Sequence, residues 1–259
     1  MINNTQKAKH IVKWIKEYVS NMQNPAKALC VNVSGGVDSS LVSVLCSMTG
    51  LRTIALSLPL RSKPENHNLS IKHQEWLKKR FKNVECHVIN LDSVYESFKK
   101  TLSKFDHELG LVNSKARLRM VTIYQVAAKN EGLVVGTGNA VEDFAIGFFS
   151  KFGDGAVDIS PIGDLTKTEV WSLAEHLEIL DEIIVVDNGS LDNTFQILLE
   201  ILHKSTCHHR YYNDNFFQHL LLFERKQCLH LLECISYQYT HLETIKDLEQ
   251  TYYFLHLYQ

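Results

Sequence analysis

The residues best placed to do chemistry form the segment Ser34-Gly-Gly-Val-Asp-Ser-Ser40, which lies between a short apolar run and a helical pattern. Its glycines let the backbone turn tightly and approach an anion closely, while serine hydroxyls and the amides at a helix N-terminus point towards that anion. The segment lacks the lysine of the G-x-x-x-x-G-K-S/T loop and the glycine spacing of G-x-G-x-x-G. It therefore predicts a phosphate-binding loop of neither the Walker nor the dinucleotide-binding Rossmann type.

Two carboxylates suggest a metal ion at this loop. Asp38 lies inside it, where a carboxylate would repel phosphate unless a divalent cation intervened, and this favours Mg²⁺. Glu142 follows a later predicted strand and offers a second oxygen ligand for the same ion. The alternatives are that Asp38 only complements a helix dipole and that Glu142 is a solvated helix residue.

A later stretch carries further candidate groups. Lys151 and Lys167 lie near glycine-rich turns and could neutralise charge on a transferring phosphoryl group. Asp154 and Asp158 bracket Gly155, where one carboxylate could bind a substrate group and the other could accept a proton from ammonium. Solvated lysines and turn carboxylates have the same appearance in a sequence, so both interpretations stay open here.

The elements that must position these residues alternate between apolar runs and helical patterns. Predicted strands cover residues 28–33, 53–58, 84–90 and 132–136, and predicted helices cover residues 7–22, 37–48, 68–81 and 113–129. This alternation predicts an α/β protein, a Rossmann-like three-layer α/β/α fold with a parallel sheet of about five strands. Ligands bind at the carboxyl ends of such strands, where the candidate residues fall.

The segment Ser34–Ser40 resembles the pyrophosphate-binding loop of the ATP pyrophosphatase superfamily, whose members adenylate a substrate and release pyrophosphate. Other segments strongly resemble the bacterial ammonia-dependent NAD synthetases within that superfamily. These are Asn113-Ser-Lys-Ala-Arg-Leu-Arg-Met120, Gly136-Thr-Gly-Asn139, Glu142, Gly147-Phe-Phe-Ser-Lys-Phe-Gly-Asp-Gly-Ala-Val-Asp158 and Leu165-Thr-Lys167. The resemblance covers most of residues 28–186, although the span from Glu142 to Gly147 is one residue longer than in many members.

The resemblance implies ATP-dependent amidation of deamido-NAD with ammonia to NAD, through an adenylated intermediate, with release of AMP and pyrophosphate. It implies Asp154, Lys151 and Lys167 as catalytic residues and Asp38 and Glu142 as Mg²⁺ ligands. The implied ATP-binding residues are Ser34, Gly35, Gly36, Val37, Asp38, Ser39, Ser40, Arg61, Thr137 and Lys167. The implied substrate-binding residues are Asn113, Arg117, Lys151 and Asp158.

Two arginines of the predicted helix 113–129 are separated by one residue, so at most one of them should reach a given ligand. We favour Arg117 over Arg119, and a surface ion pair is the alternative. The resemblance places the residues matching Asn113 and Arg117 across a dimer interface, which implies a homodimer.

The composition limits the classes of partner that the protein is expected to bind. A formal net charge of −2 gives no general attraction to nucleic acid or to an anionic membrane, so small phosphate ligands fit better. The six scattered cysteines form no C-x-x-C pair, and the N-terminal residues lack a signal-peptide core, which together favour a cytoplasmic protein. No glutamine amidotransferase segment precedes the core, so we expect free or partner-delivered ammonia as the nitrogen source.

The composition changes abruptly after Val186, beyond which there is no Val, Ala, Met, Pro or Trp. The family's closing segment is absent here, so we predict a catalytic domain over residues 1–186 and an atypical helical or disordered tail over residues 187–259. We hypothesise that the tail comes from a frameshift or an unrelated replacement. Its cluster His203–His209 is a weak zinc motif because no second pair at zinc-finger spacing accompanies it.

Two rival functions remain. A tRNA-modifying or other adenylating ligase would need a basic surface or an RNA-binding module, which the near-neutral charge disfavours. A catalytically impaired nucleotide-binding remnant, produced by loss of the closing segment, would bind ATP without forming AMP.

Overall fold

The computed structural model describes residues 3–184. The chain divides into two units, Met1–Asn188 and Gly189–Gln259, and every described residue belongs to the first. The predicted tail and its histidine cluster therefore lie outside the described residues. Within the part of the chain that is described, no helix has the length and apolar character needed to cross a membrane.

The described elements alternate between helix and strand. In chain order they are α1 Asn4–Ser20, β1 Ala28–Asn32, α2 Val37–Met48, β2 Thr53–Ser57, α3 Pro64–Arg80, β3 Val84–Val88, α4 Asp92–Thr101, a 3₁₀ turn Ser103–Phe105, α5 Glu108–Lys129, β4 Gly132–Val135, a π-helix Val141–Ile146, α6 Lys167–His176 and α7 Asp181–Ile184.

The sheet is parallel, with strand order β3-β2-β1-β4. Beyond β4, Ile159 forms a single parallel bridge with Val135. Residues 3–184 thus contain four strands and one bridge where about five strands were predicted. The α/β architecture with a parallel sheet is confirmed.

Two apolar clusters, one on each face of the sheet, hold the layers together. The first joins α1, α2, α6 and α7 to the sheet, through residues such as Ile15, Leu41 and Leu173. The second joins α4 and α5 to the opposite face, through Tyr95 and Ile123. Because β1 and β2 are buried on both faces, their sequences are continuously apolar rather than alternating.

Helix α3 begins at Pro64, earlier than its predicted start at residue 68, because proline at the first helical position supplies a suitable φ angle and needs no amide bond. The residues after Ala140 form one π-helical turn that ends at the left-handed Gly147. A π-turn accommodates one more residue than an α-turn, which suits the extra residue that the sequence analysis predicted between Glu142 and Gly147.

Candidate active site

The loop Ser34–Ser40 connects β1 to α2 at the carboxyl edge of the sheet. Gly35 has a φ angle of +94°, and a Cβ there would collide with the backbone carbonyl of Asn66 on α3. Ser39 Oγ accepts a hydrogen bond from the Ser34 amide at 3.1 Å and donates to the Gly36 carbonyl at 2.9 Å. These bonds fix the loop, and no side chain caps the first amides of α2, so an anion could bind there.

A charged cluster lies beside this loop and joins three elements. Lys167, the first residue of α6, contacts Asp38 Oδ2 at 2.5 Å and Glu142 Oε1 at 2.8 Å through its Nζ atom. Asp38 lies in the first turn of α2 and Glu142 in the π-helix. The sequence predicted these three residues for one site. The fold brings them together, although Asp38 and Lys167 are 129 positions apart in the chain.

Asn139 orders this cluster, and the sequence prediction did not include it. Its side chain is fully buried. Its Nδ2 donates to Asp38 Oδ1 at 2.9 Å, and its Oδ1 accepts from the amides of Val141 and Glu142 at 3.0 and 3.1 Å. The only signal available was its position at the end of the Gly136–Asn139 motif.

The two carboxylates of this cluster stabilise the positively charged form of Lys167. Burial acts to lower the pKa of Lys167, but the negative charges of Asp38 and Glu142 outweigh it and raise that pKa above its ordinary value. No cluster of three or more His, Cys, Asp or Glu side chains suited to a metal ion occurs among residues 3–184. The two carboxylates nevertheless converge on one cation, the Lys167 ammonium.

Asp143, which the sequence prediction also missed, adds to the negative charge. Burial, followed by the negative charges of Glu142, Asp154 and Asp38, raises the pKa of its carboxyl to about 6. This interaction indicates that Asp154 faces the same electronegative region as the Asp38 cluster.

Helix α5 holds the loop that carries Lys151 and Asp154. Ser150 Oγ donates to Asn113 Oδ1 at 2.6 Å, and Arg117 Nε donates to the Lys151 carbonyl at 3.1 Å. The Ser150 amide donates to Asp154 Oδ1 at 3.0 Å. Asn113 and Arg117, predicted to contact substrate, thus contact this loop.

Both carboxylate oxygens of Asp158 accept hydrogen bonds from neighbouring elements. Its Oδ1 accepts a hydrogen bond from the Tyr124 hydroxyl at 3.0 Å, and its Oδ2 accepts from the Val134 amide at 2.7 Å. Burial, followed by the bond to Asp158 and its charge, raises the pKa of Tyr124 to about 12.

Two predicted residues, Arg61 and Lys151, contact side chains outside the Asp38 cluster, and a third, Thr137, lies two residues before Asn139 in the chain. The Arg61 guanidinium pairs with Glu96 of α4, with its Nε at 3.0 Å from Oε1. Lys151 Nζ lies 5.4 Å from the centre of the Phe152 ring. Thr137 follows β4 by two residues, at the same edge of the sheet.

Comparison with known proteins decides the family. The model of the NAD synthase family matches residues 7–189. The chain belongs to the NAD synthase family. The NH(3)-dependent NAD(+) synthetase of Carboxydothermus hydrogenoformans is 38% identical to it over 188 residues, which cover 71% of this chain and 74% of that protein. The resemblance predicted from the motifs is therefore confirmed.

Two solved structures of similar proteins agree with this NAD synthase membership. The NMN synthetase of Francisella tularensis is 30% identical, with a TM-score of 0.67, over 79% of this chain and 87% of that one. The NH3-dependent NAD synthetase of Campylobacter jejuni is 28% identical, with a TM-score of 0.64, over 79% of this chain and 86% of that one. The parallel α/β fold is shared with both.

Proposed function

We propose that this chain uses ATP to amidate deamido-NAD with ammonia, through an acyl adenylate, and releases AMP and pyrophosphate. The observation that carries the proposal is the convergence of Asp38, Glu142 and Lys167 beside the loop Ser34–Ser40 in a member of the NAD synthase family. A bare carboxylate lacks a leaving group, and adenylation supplies one.

The first step is attack of the nicotinate carboxylate oxygen on the α-phosphorus of ATP. The amides at the start of α2 bind the departing pyrophosphate, and the hydroxyls of Ser34 and Ser39 hold the loop in shape around it. Their internal hydrogen bonds hold the loop in one conformation before ATP arrives, so little reorganisation is needed at the moment of reaction.

The donor set fits Mg²⁺. Asp38 and Glu142 supply carboxylate oxygens, the ligands this ion prefers, and they already flank a single positive charge, that of Lys167. When bound, Mg²⁺ would offset negative charge on the phosphate oxygens. Lys167 keeps its own positive charge because both carboxylates raise its pKa, and it thereby binds phosphate oxygens during adenylation.

The second step is attack of ammonia on the acyl carbon, with AMP as the leaving group. Ammonium must lose a proton before it can attack, and Asp154 is the proposed acceptor. Its Oδ1 is fixed by the Ser150 amide. Lys151, on the same loop, binds the substrate, as does Asp158.

We also propose that the protein is a cytoplasmic homodimer that pairs through α5. This helix exposes Leu109 and Val112, three positions apart on one side, by 47% and 54%, an apolar surface that would be more stable when covered. Cys30, Cys46 and Cys86 are all free thiols, in keeping with a reducing compartment.

A second candidate substrate is nicotinic acid mononucleotide. It has the same nicotinate carboxylate, and the similar Francisella tularensis structure is of an NMN synthetase. Adenylation and amidation would proceed with the same residues, and only the binding of the distal part of the substrate would differ.

The test is AMP formation by the full chain. We expect AMP only when ATP, ammonia and deamido-NAD are all present, with one amide product formed for each AMP. Parallel reactions with nicotinic acid mononucleotide compare kcat/KM for the two acceptors. ATP binding without AMP formation from either acceptor would instead support the impaired nucleotide-binding remnant.

A further inference from the structure

The turn between β2 and α3, residues 58–62, is anchored through three of its carbonyls and one of its amides. Its Pro59 carbonyl accepts from the Leu91 amide at 2.9 Å. Its Arg61 amide donates to Asp92 Oδ1 at 2.6 Å. Two further carbonyls, those of Leu58 and Leu60, bond to the side chain of Arg119 on α5.

Arg119 makes three contacts with this single turn. Its Nε donates to the Leu58 carbonyl at 3.0 Å, and its Nη2 lies 3.4 Å from the Leu60 carbonyl and 3.5 Å from Ser62 Oγ. Burial lowers the pKa of Arg119, although the charge of Asp154 opposes this. A half-buried guanidinium is costly to desolvate, so its fixed position depends on these carbonyls.

The anchored turn needs an external constraint because one of its residues is strained. Arg61 has a φ angle of +49°, in the left-handed region that non-glycine residues seldom adopt. Such a conformation persists only where the surroundings over-determine it. Here Arg119 fixes the carbonyl of the preceding residue, Leu60, and Asp92 fixes the Arg61 amide.

The segment that begins with this turn forms a wall of the phosphate-binding loop. Ser70 Oγ, on α3, donates to the Val33 carbonyl at 2.8 Å, directly before the loop. Gly35 packs directly against the backbone of Asn66. A displacement of the turn would therefore move the wall against which Ser34–Ser40 is packed.

We propose that Arg119 is a positioning residue for ATP, which fixes the β2–α3 turn and so sets the affinity for the nucleotide. This inference rests on the proposed function, and in it Arg119 acts without touching the substrate. Arg119 thus has a task different from that of Arg117, whose guanidinium bonds to the Lys151 loop. Helix α5 consequently holds both walls of the reaction site.

The test compares Arg119→Gln and Arg119→Lys with a matched control, Arg52→Gln. Arg52 precedes β2, at the opposite end of that strand, and its guanidinium forms an exposed pair with Glu85. Lysine keeps the charge of Arg119, but its single ammonium cannot span both carbonyls. Hydrogen exchange of the peptide 58–66, ATP binding without deamido-NAD, and steady-state kinetics are measured on all four proteins.

We expect both Arg119 variants to exchange the Arg61 amide faster and to bind ATP about tenfold more weakly. At saturating ATP, kcat should stay within about threefold and KM for deamido-NAD should not change. Arg52→Gln should match the wild type throughout.

Unchanged ATP affinity in Arg119→Lys, or an equal rise of KM for ATP and deamido-NAD together with a fall in kcat, would overturn the proposal. If Arg119→Gln does not fold, Arg119→Lys decides the matter. Failure of the wild-type protein to form AMP would count against the proposed function alone, because ATP binding and exchange still report on the turn.

Discussion

At the scale of single residues, the site depends on a balance of charge. Lys167 offsets two carboxylates, of which Asp38 is mostly buried and Glu142 partly exposed, with side chains 15% and 38% exposed. Removal of one member of such a cluster leaves an uncompensated charge. Each of the three residues is consequently sensitive to substitutions that alter its charge.

Asp38→Asn is expected to lower the rate of AMP formation by about a hundredfold or more, because one proposed Mg²⁺ ligand loses its charge. The fold should persist, since the amide oxygen can still accept the bond from Asn139. Asp164→Asn, at an exposed carboxylate three residues before Lys167, is the matched control. Near-normal AMP formation by Asp38→Asn would refute the metal-binding role.

Gly35→Ala is expected to abolish measurable ATP binding. Both Gly35 and Gly50 have positive φ angles, +94° and +77°, but only at Gly35 would a Cβ meet the backbone of another element. Gly50→Ala therefore measures the backbone strain of a positive φ angle without any steric clash, and this strain is about 1 kcal/mol. Calorimetric titration with ATP separates the two variants, and equal binding by both would show that the close approach of α3 to the loop is unimportant.

At the scale of the elements, α3 carries a buried histidine that links it to α2. His73 is fully buried, its Nε2 lies 2.8 Å from Ser43 Oγ, and its ring stacks on Trp76 at 5.5 Å. Burial lowers its pKa from 6.5 to about 4, although a bond to the Ser40 backbone acts in the opposite direction. The neutral imidazole is therefore the form that the fold accepts.

The lowered pKa of His73 predicts how the stability of the protein changes with pH. Between pH 6.5 and about 4 the unfolded chain binds a proton at His73 that the folded chain does not, so stability falls as the pH falls. The full effect corresponds to roughly 3 kcal/mol. Urea unfolding of the wild type and of His73→Gln should give curves that diverge over this window, whereas parallel curves would contradict the assignment. Asp143, whose pKa is raised, changes the stability in the opposite direction as the pH falls. Its effect is the same in both proteins and cancels when their curves are compared.

The order of the four strands and of the main helices between them followed from the sequence, because β1 and β2 are continuously apolar and those helices are periodic, whereas the π-helix, α6 and α7 were not predicted. Their contacts did not follow, since the direction of a side chain across elements depends on packing. Asn113 and Arg117 were predicted as substrate residues, yet they bond to the loop of Lys151. The buried Asn139 was missed because the Gly136–Asn139 motif marked its position but did not show that its side chain bonds to Asp38.

At the scale of the whole molecule, the proposed dimer predicts a defined response to charge on α5. Val112→Asp should dissociate the dimer, because a carboxylate in an apolar interface must be desolvated. Met48→Asp, at a similarly apolar and exposed position at the end of α2, should leave the mass unchanged. Light scattering after size exclusion measures both, and a wild-type protein that is already monomeric would rule out the dimer.

The tail remains a separate prediction. The family match ends at residue 189, close to the point where the composition changes. If sequencing of the gene confirms the reading frame and near relatives carry the same tail, the frameshift hypothesis is wrong.

The central claim is that the nicotinate carboxylate is adenylated before it is amidated. The most direct measurement uses deamido-NAD labelled with ¹⁸O in that carboxylate, with mass spectrometry of the AMP formed by the full chain in the presence of ATP and ammonia. Because the bridging oxygen leaves with the phosphate, AMP should carry one labelled oxygen per amide formed. Amide product accompanied by unlabelled AMP would contradict the account.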